Sequence, residues 1–287
     1  MQNKDFPALY KSASDLSSDS QVHFFRALKL HLMLLVVAAA LSIVSVPQVS
    51  IAILQLIVLL GALFCSIYLF NTRPDRYWYA GRAVAESIKT ITWRYVCRAE
   101  PFQGDDSIVD SDFLQRLKTI VDQNKDIAGK LTNHLTAPQI TSAMTRLRAC
   151  TLDERKATYS ADRITDQLEW YVKKASFNKS TSKKFFWILI AINGVAIVFA
   201  ALRIALFDLP FWPTDVFIAA AASLLSWMQA KRFAELSVSY ALTAHEISLI
   251  REQSQRPRTE NEFSQFVGDA ENAFSREHTQ WAARRDV

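Results

Sequence analysis

The chain has 287 residues, half of them hydrophobic, which is room for one large domain or two ordinary ones. Its net charge of +5 sits on lysines and arginines crowded beside apolar runs, a placement that favours an orientation signal over nucleic-acid binding. Three cysteines with no CxxC spacing exclude a disulfide framework and a zinc site, and only six glycines argue for helix almost throughout.

Residues 1–20 are rich in Ser and Asp and are expected to be mobile, with no signal-peptide pattern. From Leu28 to Phe70 no Asp, Glu, Lys or Arg follows Lys29. The two runs, about 28–46 and 49–70, each approach the ~20 residues that cross a hydrocarbon core. Neither has the polar face of a soluble helix, so they are expected to form a membrane hairpin turning at Pro47-Gln48. His31, in the first turn of its span, reads as interfacial. After Arg73-Pro74-Asp75, the residues Tyr77, Gly81, Val84, Ile88, Ile91 and Tyr95 recur at three-four spacing, a stripe suited to helix packing, and Pro101 ends it. Gln103–Asp110 reads as a polar loop. Ser111 or Asp112 is expected to cap a helix to about Lys125, and Pro138 to open another to about Cys150.

A charged helix is expected from Asp153, with Ile164, Leu168, Tyr171 and Ala175 as its apolar stripe. It leads into a third span at about 185–206 and an aromatic turn around Pro210, Trp212 and Pro213. The segment 214–230 is weakly apolar, and a buried soluble helix is the plainer reading. Its place directly after a strong span, and its run of small residues, make it the expected fourth span. Next comes an amphipathic helix with Phe233, Leu236, Tyr240, Ala244, Ile247 and Ile250, which Pro257 ends. A last helix from about Glu260 carries Phe263, Phe266, Ala270, Phe274 and Trp281 and closes on Arg284-Arg285.

The expected fold is an all-α membrane protein with two transmembrane hairpins, each continued by long cytoplasmic amphipathic helices. The first unit covers 21–152, with cytoplasmic helices over 74–150; the second covers 153–287, with a leading helix at 153–184 and cytoplasmic helices over 231–285. Lys and Arg flank the same side of every apolar run, and Asp208 and Asp215 flank the second turn. Both termini are therefore expected in the cytoplasm, with Arg203 snorkelling at the far interface.

Enzyme motifs are close to absent. Gly129-Lys130 lacks the upstream glycine of a phosphate loop, and His245-Glu246 lacks a second histidine four residues on. Ser180-x-x-Lys183 has no companion motif, and Asn178-Lys179-Ser180 would face the cytoplasm. No cofactor or metal is expected. Two constellations stand out: Arg82, Glu86, Lys89, Trp93 and Tyr95; and Arg163, Gln167, Trp170, Tyr171 and Lys174. From composition alone, surface ion pairs and interfacial aromatics explain both.

The run RAVAESIKTITWRYVCRAEPF, Arg82 to Phe102, resembles the segment after the hairpin in the SLATT family, the SMODS- and SLOG-associating two-transmembrane effector domains. ADRITDQLEWYVKKASFNK, YALTAHEISLI and EHTQWAARR resemble another branch of that family, which implies two tandem copies. The resemblance implies a membrane effector of a bacterial conflict system in the inner membrane. Such an effector would be homo-oligomeric, answer a nucleotide signal or a neighbouring sensor protein, and perforate or depolarise the bilayer. Asn193, Ala219, Ala222, Ser223 and Ser226 are the candidate lumen or span-packing residues, interhelical packing being the plainer role. A non-conducting scaffold that recruits a partner through its cytoplasmic helices is the alternative.

Overall fold

The computed structural model describes residues 1–43, 49–206 and 211–283, with side chains through 275. The expected turn at Pro47, residues 207–210 with Asp208 and Pro210, the side chain of Trp281, and Arg284-Arg285 lie outside the described residues. Those described are helical, with no strand among them. The helices are α1 (Ala8–Ser42), α2 (Val49–Thr72), α3 (Pro74–Val96), α4 (Asp106–Gln123), α5 (Lys125–Ala128), α6 (Ser142–Ala149), α7 (Leu152–Tyr159), α8 (Asp166–Ala205), α9 (Thr214–Lys231), α10 (Phe233–Gln253) and α11 (Glu260–Ala283). A π-helical turn, Ser160–Thr165, joins α7 to α8.

Three helices are long and apolar enough to cross a membrane: Ala8–Ser42, Val49–Val96 and Leu152–Ala205. The fourth expected span forms α9 but is not among the three; Asp215, Gln229 and Lys231, with Ser223 and Ser226, lower its hydropathy. The apolar windows face outward, as at Phe64, Phe70 and Ile197. A surface of that kind is stable in lipid and costly in water.

The chain folds into two compact units that do not follow the order of the sequence. Unit 1 collects Met1–Gln21, Pro74–Val172 and Ala241–Val287; unit 2 collects Val22–Arg73 and Lys173–Tyr240. Each unit therefore draws on both halves of the chain.

In unit 1 the N-terminal segment, expected to be mobile, is instead anchored. Phe6, Ala8, Leu9, Tyr10 and Ala13 are buried, and the first helical N–H groups find acceptors: Ala8 donates to the Pro138 carbonyl (3.2 Å) and Leu9 to Gln139 Oε1 (3.0 Å). Helix starts leave such donors without an intrahelical partner, so the 134–141 segment serves as their cap. Gly81 allows α3 to cross this segment closely: a Cβ there would lie 3.0 Å from the Ala13 carbonyl oxygen and the Ser17 nitrogen.

The expected loop 103–110 ends early, because α4 begins at Asp106 after Asp105 rather than at Ser111 or Asp112. The helix expected from Pro138 starts only at Ser142. There Thr141 caps Met144, and Pro138 is committed to α1. Helix α3 meets α11 through Thr90, whose hydroxyl lies 3.4 Å from that of Ser275, and through Arg94, which donates to the Gly268 carbonyl and to Asn272, while the stripe meets α1 at Gly81 and α4 at Tyr95.

In unit 2, α1 meets α2 through His31 Nδ1 and the Ala62 carbonyl (3.0 Å) and through Gln55 Nε2 donating to the Ala38 carbonyl (3.3 Å). It meets α9 through Ser223 Oγ donating to the Leu32 carbonyl (3.4 Å) and through Phe25 against Trp227 (5.7 Å). Phe199 stacks on Phe217 between α8 and α9, and Phe185 on Phe233 between α8 and α10.

Candidate functional site

The two constellations come from opposite halves of the chain, yet unit 1 brings most of their members into one buried cluster. From the first, α3 carries Arg82, Glu86 and Lys89, with the Lys89 ammonium 3.4 Å from Glu86. Arg82 lies over Trp170 of α8 at 5.8 Å, and Lys89 over Tyr10 of α1 at 5.9 Å. From the second, Arg163 in the π turn makes a two-pronged bond to Glu271 of α11, 2.8 Å from Nε and 2.7 Å from Nη2. Tyr159 donates to the same carboxylate at 3.0 Å, and Arg163 lies over Phe274 at 4.6 Å. Arg163 and Glu271 are 1% and 0% exposed, so both are shielded from bulk solvent. Trp93, also buried, packs edge-on against Tyr159 (5.6 Å) and Phe6 (6.3 Å).

The remaining members lie elsewhere. Tyr95 joins a second buried group, donating to Asp110 at 2.5 Å beneath the Arg148 guanidinium. Arg148 donates to the Tyr95 carbonyl and to Asp106. Tyr171 is buried, Gln167 half-buried. Lys174 falls in unit 2, where its carbonyl accepts from Asn178. Asn193 is exposed and donates to the Leu189 carbonyl of its own helix (2.8 Å); on α9, Ala222 and Ser226 are exposed while Ala219 and Ser223 are half-buried.

The sequence reading did not single out Arg155, Tyr159 or Glu271. Arg155 is buried, bonding the Cys97 carbonyl at 2.8 Å and Glu260. A signal was available: Arg155, Tyr159 and Arg163 are spaced by four, one residue out of step with Ile164, Leu168, Tyr171 and Ala175. The π turn holds one extra residue and brings both series to the core; such turns recur at functional sites.

Burial dominates the electrostatics. It lowers the pKa of Lys89, with Glu86 opposing and Arg163 and Arg82 adding to the effect. It raises Tyr10 to about 12, helped by Glu86 and opposed by Arg163 and Arg82. It raises Tyr159 as well, with Glu271 adding to the effect, and drives up the Cys97 thiol, which makes that sulfur a poor nucleophile. No group of three or more His, Cys, Asp or Glu suited to a metal occurs among the described residues. The cluster is a packed ionic core in which Arg82, Lys89 and Arg163 share two carboxylates, Glu86 and Glu271. It is suited to holding helices in one arrangement and to breaking as a unit.

These shifts predict an alkaline limit. Unfolded tyrosine releases its proton near pH 10, whereas folded Tyr10 holds it to about 12. Stability from Tyr10 is therefore complete below pH 10 and is lost as pH rises toward 12, by on the order of 2 kcal/mol. Tyr159 acts in the same direction. Lys89 acts oppositely: its penalty is present at neutral pH and is relieved as pH rises toward the ordinary lysine value. Thermal melts in detergent from pH 8 to 12 should show a net fall past pH 10, and Tyr10→Phe should shallow that fall. A flat profile would contradict the burial of these phenols.

Residues 7–156 match the family profile described as SMODS and SLOG-associating 2TM effector domain 3, and residues 159–281 match effector domain 1 of the same series. No curated protein and no solved structure matches the chain.

Proposed function

The chain belongs to the SLATT family, as two tandem SMODS and SLOG-associating 2TM effector domains, and from that premise we propose that it is a triggered, membrane-depolarising effector of a conflict system. In this reading the three long apolar helices and α9 make four spans in the inner membrane, with both termini cytoplasmic. Protomers assemble, and a nucleotide signal or a partner protein acts on the extramembrane helices. The reading needs no catalytic step, cofactor or metal.

The observation that carries it is how unit 2 disposes of its polar side chains. His31, Gln55 and Ser223 each engage a backbone carbonyl on a neighbouring helix. Lipid offers such groups no partner, so they hold the helices together until water replaces the carbonyls. A closed resting state of that kind is what an effector needs, since an open path dissipates about 2.3 kcal/mol per charge per 100 mV. Ala222 and Ser226, exposed on α9, provide a small-residue surface for another hairpin to approach.

The test is membrane-potential dye fluorescence in cells carrying the protein and its neighbouring genes. Wild type should depolarise the membrane when triggered. Ala222→Leu with Ser226→Leu should insert normally and abolish the response. If wild type never depolarises while its neighbours still require it, the scaffold reading replaces this one.

A further inference from the structure

We propose that one end of unit 2 is a binding ring for anionic phospholipid headgroups, formed by Arg26 and Lys29 of α1, Lys183 and Lys184 of α8, Lys231 of α9 and the adjoining Arg232. The proposal rests on the membrane reading of unit 2, but not on conduction.

The ring contacts bring together the three stretches of chain that carry these six cations. Phe25 packs on Trp227, and the Lys231 ammonium stands 3.3 Å above the Phe25 ring, which sets Arg26 beside the end of α9. Phe185 stacks on Phe233 with centroids 5.6 Å apart, which sets Lys183 and Lys184 beside Arg232. Orientation in a bilayer requires only that cations be numerous on one side. It does not require cations from three separate stretches of chain to converge.

Convergence makes counter-charge necessary, and unit 2 supplies little. Residues 22–73 contain no Asp or Glu; residues 173–240 contain Asp208, Asp215 and Glu235. Asp215 opens α9, the opposite end of that helix from Lys231, and Asp208 precedes it in sequence. Glu235 is already bridged to Arg232, 2.7 Å from its Nε. Six cations thus meet one carboxylate of their own unit.

The neighbouring surface favours a lipid phosphate over a soluble anion. Phe186 and Trp187, exposed at 49% and 67%, lie two and three residues after Lys184, so the cations border an aromatic belt of the kind that lies at headgroup depth. Arg26, Lys29, Lys183 and Lys184 are exposed, while Lys231 is held against two aromatic faces. An anionic lipid can place its phosphate among the ammonium groups and its chains along the exposed apolar wall. Each cation near a charged headgroup layer is worth about a fivefold gain in association.

The experiment uses the full chain in nanodiscs with spin-labelled phosphatidylglycerol or phosphatidylcholine as probe. Wild type should prefer phosphatidylglycerol by at least about fivefold, and rising salt should weaken the preference. Arg26→Gln, Lys183→Gln, Lys184→Gln and Lys231→Gln together should bring it to near one, with helical content unchanged. Removing Lys118 and Lys125 from unit 1 should leave it at the wild-type value. Equal association of the two lipids in wild type, or full selectivity in the quadruple variant, overturns the proposal. Loss of selectivity on adding inorganic phosphate at constant ionic strength also overturns it, because the ring would then hold a free anion. The assay needs no trigger, so its failure leaves the effector reading standing, and a failed depolarisation test leaves this one standing.

Discussion

Glu271→Gln is expected to destabilise the protein by about 3–5 kcal/mol, the usual cost of leaving one member of a buried ion pair without its counter-charge. Arg163 would keep its charge at 1% exposure, and Tyr159 would lose the carboxylate it donates to. Glu86 is the nearby anion left to the cluster, and it already serves Lys89. The complementary change, Arg163→Met, leaves the carboxylate buried and should cost a similar amount. The double variant Arg163→Met with Glu271→Met should recover most of the loss, since well-packed apolar pairs often equal or exceed the ion pair they replace. Denaturant titrations of wild type, Arg163→Met, Glu271→Met and the double variant close a double-mutant cycle. Additive losses would show that the two side chains act independently, against the geometry of their two-pronged bond.

Ile88→Asp should be nearly as damaging. Ile88 is 0% exposed on the face of α3 that also carries Gly81, so a carboxylate there loses its water and replaces an apolar contact. A loss of several kilocalories per mole is expected, seen as aggregation or as a melt shifted down by ten degrees or more. Ile91 belongs to the same stripe by spacing but is only half-buried, and Ile91→Asp should cost clearly less. Equal effects at both positions would mean that membership of the stripe, not burial, decides packing.

Much of this fold was legible because hydropathy and spacing act locally. The runs around 28–46, 49–70 and 185–206 declare themselves through the length of their apolar windows, and the α3 stripe through three-four spacing. Illegible were the features set by long-range pairing. Phe6, Leu9, Tyr10 and Ala13 sit within a Ser- and Asp-rich stretch whose average polarity hides a buried face. Arg155, Arg163 and Glu271 look like surface charges because each is half of a pairing more than 100 residues apart. The π turn hid the Arg155–Arg163 series further, by shifting its phase against the apolar one. The convergence of Arg82, Glu86 and Lys89 with Arg163 needed the fold itself, which takes one group from each tandem copy.

Because α3 ends at Val96 and the helix that covers it runs to Ala283, synthesis imposes a delay on this protein. At roughly 5–20 residues per second, the ribosome needs on the order of ten seconds or more to deliver α11 after α3 has emerged. During that interval the apolar helices have time to reach the membrane, while Thr90 and Arg94 still lack the α11 groups they meet. The first apolar helices are thus available to lipid before the core of unit 1 can close. The first family domain, translated alone, would remain in that half-finished condition, so the tandem pair is a single folding event and not two modules in series.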